Sequence, residues 1–108
     1  MSKRLLMLEK MTQAGSKDPF HWYALALEYA GQGRQDDALA TFVSLRAADE
    51  NYVPMYLMCG TMLAKAGRPL EAEEWLTRGI EVAQRKGDAH ALSELREALS
   101  GVHDITEH

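Results

Sequence analysis

The stretch WYALALEYAGQGR, residues 22–34, decides the fold. Its large residues Trp22, Leu25 and Tyr29 recur at intervals of three and four, which places them on one face of a helix. Small residues stand between them, and glycines at positions 31 and 33 end the segment. The stretch therefore predicts a helix that packs closely against a neighbour and then turns back.

The same spacing of apolar residues continues along the chain, and no useful length of it alternates with period two. Glycines mark the ends of segments, while Asp18-Pro19 and Val53-Pro54 mark starts. Because the connections are short, successive helices should form antiparallel hairpins. We predict an all-α chain of six helices, at residues 3–14, 18–31, 35–49, 53–66, 69–86 and 88–101.

The chain also matches itself when it is shifted by 34 residues. The shift pairs Trp22 with Tyr56, Leu25 with Cys59, Ala26 with Gly60, Tyr29 with Leu63, Gly33 with Gly67, Arg34 with Arg68, Ala38 with Ala72 and Phe42 with Leu76. This period and these residue types resemble the tetratricopeptide repeat, as two copies at residues 19–52 and 53–86. The resemblance implies a right-handed solenoid of stacked helical hairpins. The alternative is an ordinary helical bundle with an accidental repeat.

Segments on both sides of the repeats fit the same scheme. The shift carries Phe42 back to Leu8, so residues 3–14 predict half a repeat. After residue 87, the repeat continues if its register shifts by two residues. Leu92, Leu95 and Leu99 then have the same spacing as the large residues of the opening stretch, which predicts a capping helix with a polar outer face. We expect residues 1–108 to form a single domain, with residues 102–108 as a flexible tail.

The small residues predict where helices approach one another. Ala26 and Gly60 should face Ala38 and Ala72, because small side chains let two helix backbones come close. Cys59 stands where the first repeat has Leu25, so we expect a buried, unreactive thiol.

Composition argues against several classes of function. A net charge of −4 and a pI near 5.5 give no general attraction to nucleic acid or to an anionic membrane. The longest apolar run near the start, residues 5–8, is too short for a signal peptide or a membrane span, and we predict a cytoplasmic protein. The histidines lack metal-binding spacing, so we expect no metal, no cofactor and no enzymatic activity.

The resemblance implies that function lies in a concave groove formed by the first helices of the hairpins. It assigns to this groove Phe20, Tyr23, Leu27 and Gly31 from the first repeat and Pro54, Leu57, Thr61 and Lys65 from the second, flanked by Ala24 and Met58. A clamp for peptide carboxylates is disfavoured, because Lys65 is the one cation among these positions.

We predict a protein–protein interaction module, an adaptor or an assembly subunit, that binds another protein or a peptide. The predicted contact residues are Phe20, Tyr23, Leu27, Leu57, Met58, Thr61 and Lys65. The alternative is a structural homodimer in which the groove is used for self-association. The sequence leaves the identity of the partner open.

Overall fold

The computed structural model describes the backbone of residues 2–106 and the side chains of residues 2–104. All regular structure in that range is helical. The helices are α1 (Lys3–Gln13), α2 (Pro19–Gly31), α3 (Gln35–Ala48), α4 (Pro54–Lys65), α5 (Pro69–Lys86) and α6 (Ala89–Thr106). The six predicted helices are confirmed, and apart from the end of α6 their bounds agree to within one residue.

Local sequence signals account for the helix ends. The Ser2 hydroxyl accepts the N–H of Leu5 at 3.0 Å, and the Asp18 carboxylate accepts that of Phe20 at 3.0 Å. Each side chain satisfies an N–H that has no partner inside the helix. At the other end of α5, Gly87 adopts the left-handed conformation, with φ of 67°, which a glycine reaches without steric cost.

The chain divides into two compact units after Glu50. In the first unit, α2 packs against both α1 and α3. Leu5 and Leu8 of α1 form an apolar cluster with Ala24 and Leu25 of α2, and Tyr29 packs at its edge. Helix α1 is therefore held on the same side of α2 as Leu25 and Tyr29. The prediction of one domain over residues 1–108 stays a prediction.

Polar contacts also fasten α1 to α2. The Tyr29 hydroxyl donates to Glu9 Oε2 at 2.6 Å, and Arg4 Nε lies 3.1 Å from Glu28 Oε1. The Arg34 guanidinium sits over the Tyr29 ring, 4.5 Å from its centroid. Burial, followed by the hydrogen bond to Glu9 and the charge of that carboxylate, raises the pKa of Tyr29 to about 12.

In the second unit, α5 packs against α4 and α6, and α4 also contacts α6. Its buried apolar residues include Tyr56, Cys59, Leu63, Trp75, Leu76, Val82, Leu95 and Val102. The predicted burial of Cys59 is confirmed. Leu95 is buried on α6, Leu92 and Leu99 are half-buried beside it, and Arg96 is exposed. Helix α6 thus packs on α4 and α5 through its apolar stripe, and its role as a cap stays a prediction.

Two glycines set how closely the helices of this unit approach. A Cβ on Gly60 would lie 2.6 Å from Leu76 Cγ, so its nearest neighbour is Leu76 and not the predicted Ala72. A Cβ on Gly79 would lie 2.5 Å from Tyr56 Cβ and 3.0 Å from Leu95 Cδ2. Helices α4, α5 and α6 therefore meet around Gly79, a contact that the sequence did not predict.

Helix α6 continues beyond its predicted end. The expected flexible tail is wrong for residues 102–106, which are helical, while residues 107 and 108 lie outside the described part of the chain. Val102 is only 2% exposed. Because Val102 follows Leu95 by two helical turns, it extends the buried stripe and holds the helix past Gly101.

Candidate functional site

The first group of predicted contact residues forms a stripe on α2. Phe20, Tyr23 and Leu27 are spaced three and four apart, so they share one helical face. Phe20 is 53% exposed, while Tyr23 and Leu27 are half-buried. The cap formed by Asp18 fixes the backbone of Phe20 in the first turn and leaves its ring in contact with solvent. We call Phe20, Tyr23 and Leu27 the α2 stripe.

The second group lies on α4 and is less apolar. Leu57 and Thr61 are half-buried, whereas Met58 and Lys65 are exposed. The Thr61 hydroxyl donates to the backbone carbonyl of Leu57, so its proton is used inside the helix. Lys65 lies in the last turn of α4, and its side chain forms no ion pair within the described residues. We call Leu57, Met58, Thr61 and Lys65 the α4 stripe.

The remaining predicted positions divide between surface and core. Gly31 and Pro54 are exposed, as a groove position requires. Ala24, which was expected beside the groove, is instead buried in the apolar cluster with Leu5 and Leu8. The α2 stripe belongs to the first unit and the α4 stripe to the second. That the two stripes form one groove stays a prediction.

A cleft in the first unit was not predicted from the sequence. It has a volume of about 590 Å³ and is lined by Ser16, Lys17, Pro19, Trp22, Ser44, Leu45, Ala48 and Asp49. The indole N–H of Trp22 donates to the carbonyl of Ser16 at 2.8 Å, which fixes the indole at this wall. Trp22 is thus half-buried, although the sequence pattern indicated a core residue.

The first turn of α2 and the loop before it bring together a hydroxyl, an imidazole and a carboxylate. Ser16 Oγ lies 2.6 Å from His21 Nδ1, and His21 Nε2 lies 3.8 Å from Asp18 Oδ2. The second distance is too long for a hydrogen bond. In addition, Ser16 Oγ accepts the N–H of Asp18 at 3.2 Å, and the Asp18 carboxylate caps α2. These groups stabilise the start of α2, and they do not form the relay that activates a serine nucleophile.

Two further properties of the described residues bear on the class of site. Among the side chains of residues 2–104, no group of three or more His, Cys, Asp or Glu residues is placed to hold a metal ion. No helix in this range combines the length and the apolar composition needed to cross a bilayer.

Comparison with solved structures decides the family. The solution structure of a tetratricopeptide repeat domain protein from Salinibacter ruber is 35% identical over 85% of this chain and 93% of that one, with a TM-score of 0.79. Its crystal structure gives a TM-score of 0.75 over 82% of this chain and 99% of that one. The chain belongs to the tetratricopeptide repeat family. The alternative of a bundle with an accidental repeat is therefore excluded.

More distant structures share the tetratricopeptide repeat fold. A protein from Bordetella parapertussis is 24% identical, with a TM-score of 0.81 over 96% of this chain and 90% of that one. SycD, the type III secretion translocator chaperone of Yersinia enterocolitica, is 15% identical, with a TM-score of 0.86 over 96% of this chain and 72% of that one. At these identities the likeness concerns the fold alone. No family model matches the sequence, and no curated protein matches it.

Proposed function

We propose that this tetratricopeptide repeat protein is a non-enzymatic interaction module that binds a peptide segment of another protein along the α2 and α4 stripes. The observation that carries the proposal is Phe20, an aromatic side chain 53% exposed at a position that the family resemblance assigns to the ligand-facing surface. Exposed aromatic residues at such positions are frequent anchors of binding energy. The ring adds little to the core and is available to a partner.

The chemistry of the stripes favours an apolar ligand. The α2 stripe offers an aromatic ring, the half-buried Tyr23 and the half-buried Leu27. On α4, the flexible thioether of Met58 can adapt to side chains of different shape. Lys65 is the one cation among the seven stripe residues, which is too few for a clamp on several carboxylates. We expect a ligand segment with two or more large apolar side chains, in an extended or helical conformation.

The fold supports a protein ligand over a substrate. Tetratricopeptide repeat folds are generally non-enzymatic modules for protein interaction. SycD, which shares the fold, is a type III secretion translocator chaperone. The Ser16 hydroxyl and the Asp18 carboxylate stabilise the start of α2, and the proposal gives neither them nor His21 a catalytic part.

A variant that removes the two exposed stripe residues tests the proposal. Phe20→Ser with Met58→Ser should leave helicity and the melting temperature close to those of the wild type, because both side chains are exposed. Capture of peptides selected on the wild type from a random library should fall by about tenfold or more if both act as anchors. Val43→Ser is the matched control, since Val43 is an equally exposed apolar residue on α3.

The outcomes separate the alternatives. Unchanged peptide capture by the double variant would contradict the proposal. Loss of self-association in sedimentation, with no peptide captured by either protein, would instead indicate a homodimer formed through the stripes.

A further inference from the structure

The outer side of α1 carries an apolar and basic surface that its own unit does not cover. Leu6 is 45% exposed and Met7 is 54% exposed. Lys3 and Lys10 share this side of the helix, two turns apart, and neither side chain forms an ion pair or hydrogen bond within the described part of the chain. The separation of these lysines along the helix axis is about 10.5 Å. We call Lys3, Leu6, Met7 and Lys10 the basic face.

The outer side of α5 has the opposite charge and the same spacing. Glu74 and Glu81 lie two turns apart on its exposed side, with Thr77 between them. Leu70, one turn before Glu74, is 78% exposed, the largest exposed fraction among the large apolar residues described. A shallow depression of about 330 Å³ is lined by Glu73, Glu74, Thr77, Arg78 and Glu81. We call Leu70, Glu74, Thr77 and Glu81 the acidic face.

We propose that the basic face of one copy of this chain docks on the acidic face of a second copy. The two lysines and the two glutamates have the same two-turn spacing, so both ammonium–carboxylate pairs can form in one alignment of the helices. In that alignment Leu6 and Met7, which lie between the lysines, reach the depression around Thr77, which lies between the glutamates. The contact removes apolar surface from water as well as pairing charges.

Charge also decides how the copies are arranged. Two basic faces repel each other, and so do two acidic faces, because each would place like charges opposite one another. The contact must therefore join different surfaces of the two copies. Arg78, whose Nε lies 3.8 Å from Glu81 Oε2, reduces the negative charge of the acidic face, and Glu74 also has an interaction within its own chain. Both glutamates would therefore share their carboxylates with the docked lysines, which leaves a weak contact. The surfaces are small, which also indicates a weak contact.

A contact between two different surfaces extends beyond two copies unless it closes into a ring. After one contact forms, each copy of the pair still presents the face that the contact did not use. Further copies can add head to tail, so the average mass should rise steadily with protein concentration. Added salt should reverse the rise, since exposed charge pairs are screened. The stripes on α2 and α4 take no part, so this inference and the proposed function can fail separately.

Charge reversal on the full-length chain tests the contact. Lys3→Glu with Lys10→Glu should weaken association by about tenfold or more at low salt, as should Glu74→Lys with Glu81→Lys. An equimolar mixture of the two variants should associate again, because each then carries a face complementary to the other. Mass is measured by sedimentation or light scattering over a range of concentrations, and folding by circular dichroism.

Matched control variants show whether a change in net charge alone alters association. Lys17→Glu with Arg96→Glu, and Glu97→Lys with Asp104→Lys, alter net charge equally at exposed positions outside both faces. These controls should associate like the wild type. A wild-type protein that stays monomeric at every concentration, or a mixture of folded variants that fails to associate, would overturn the proposal.

Discussion

At the scale of single residues, Gly79 shows that the two repeats share a backbone period without sharing their packing. The 34-residue shift aligns Gly79 with Leu45, a fully buried leucine of the first unit. In the second unit Tyr56 and Leu95 occupy the space where a side chain at position 79 would lie. Since Tyr56 is fully buried, it has little freedom to move aside. Glycine is thus required here by a close approach, although the helix itself would favour alanine.

The same substitution should therefore have opposite effects at two glycines. Gly79→Ala gains helix propensity but overpacks the contact with Tyr56, and we expect a net loss of about 1–3 kcal/mol in the free energy of unfolding. At Gly101, exposed on α6 with nothing within 4 Å of the added Cβ, we expect alanine to stabilise by about 0.5–1 kcal/mol. Urea denaturation measures the free energy of unfolding of both variants and shows whether each substitution stabilises or destabilises the protein. A stabilised Gly79→Ala protein would show that the close approach is absent.

At the scale of the helix, α1 depends on α2 for its place. A helix of this length is marginal alone in water, so its stability comes from the packing of Leu5 and Leu8 and from the contact between Glu9 and Tyr29. That contact joins a carboxylate to a phenol that must keep its proton, because the phenol is the donor. Docking of α1 is therefore coupled to pH in the alkaline range.

Tyr29→Phe should reveal this coupling. At pH 7 the variant should lose about 0.5–1.5 kcal/mol through the missing hydrogen bond. The pKa of Tyr29 is raised from 10.0 to about 12, so with rising pH the unfolded chain loses this proton before the folded chain does. The contribution of Tyr29 is complete below pH 10 and is lost as the pH rises toward 12. Melting curves of both proteins should converge over that interval, and a constant difference would contradict the assignment.

The sequence predicted the helices and most of their ends correctly, because these depend on local signals and on periodicity. It failed for the end of α6 and for the exposure of single residues, because these depend on which neighbouring helix covers them. Asp18-Pro19 and Gly87 set helix ends through backbone geometry, which is local. Helix α6 passes Gly101 because Val102 finds a buried site, and that contact outweighs a cost of about 1 kcal/mol for one helical glycine. The stripe residues were assigned through the family resemblance. Their exposure depends on neighbouring helices, which is why Ala24 was misplaced.

At the scale of the whole molecule, the two terminal helices end the chain differently. Apart from Ala89, the exposed side chains of α6 up to residue 104 are polar or charged and include Ser93, Glu94, Arg96, Glu97 and Ser100. Such a surface is suited to contact with water, as in the cap of a repeat array. On α1, by contrast, Leu6 and Met7 remain exposed beside two lysines. The N-terminal helix therefore presents a surface suited to contact with another molecule.

Truncations at the C-terminus should distinguish the cap from a dispensable tail. Ending the chain after residue 104 keeps Val102 and should leave the melting temperature near that of the wild type. Ending it after residue 101 removes the buried Val102 and should cost about 1.5–3 kcal/mol, the value of burying one such side chain. Ending it after Gly87 removes Leu95 as well and uncovers Tyr56 and the contact at Gly79, so the second unit should aggregate or lose cooperative unfolding. Thermal melts followed by light scattering measure the series. If the chain that ends at Gly87 stays monomeric and unfolds cooperatively, α6 is not the helix that completes this core.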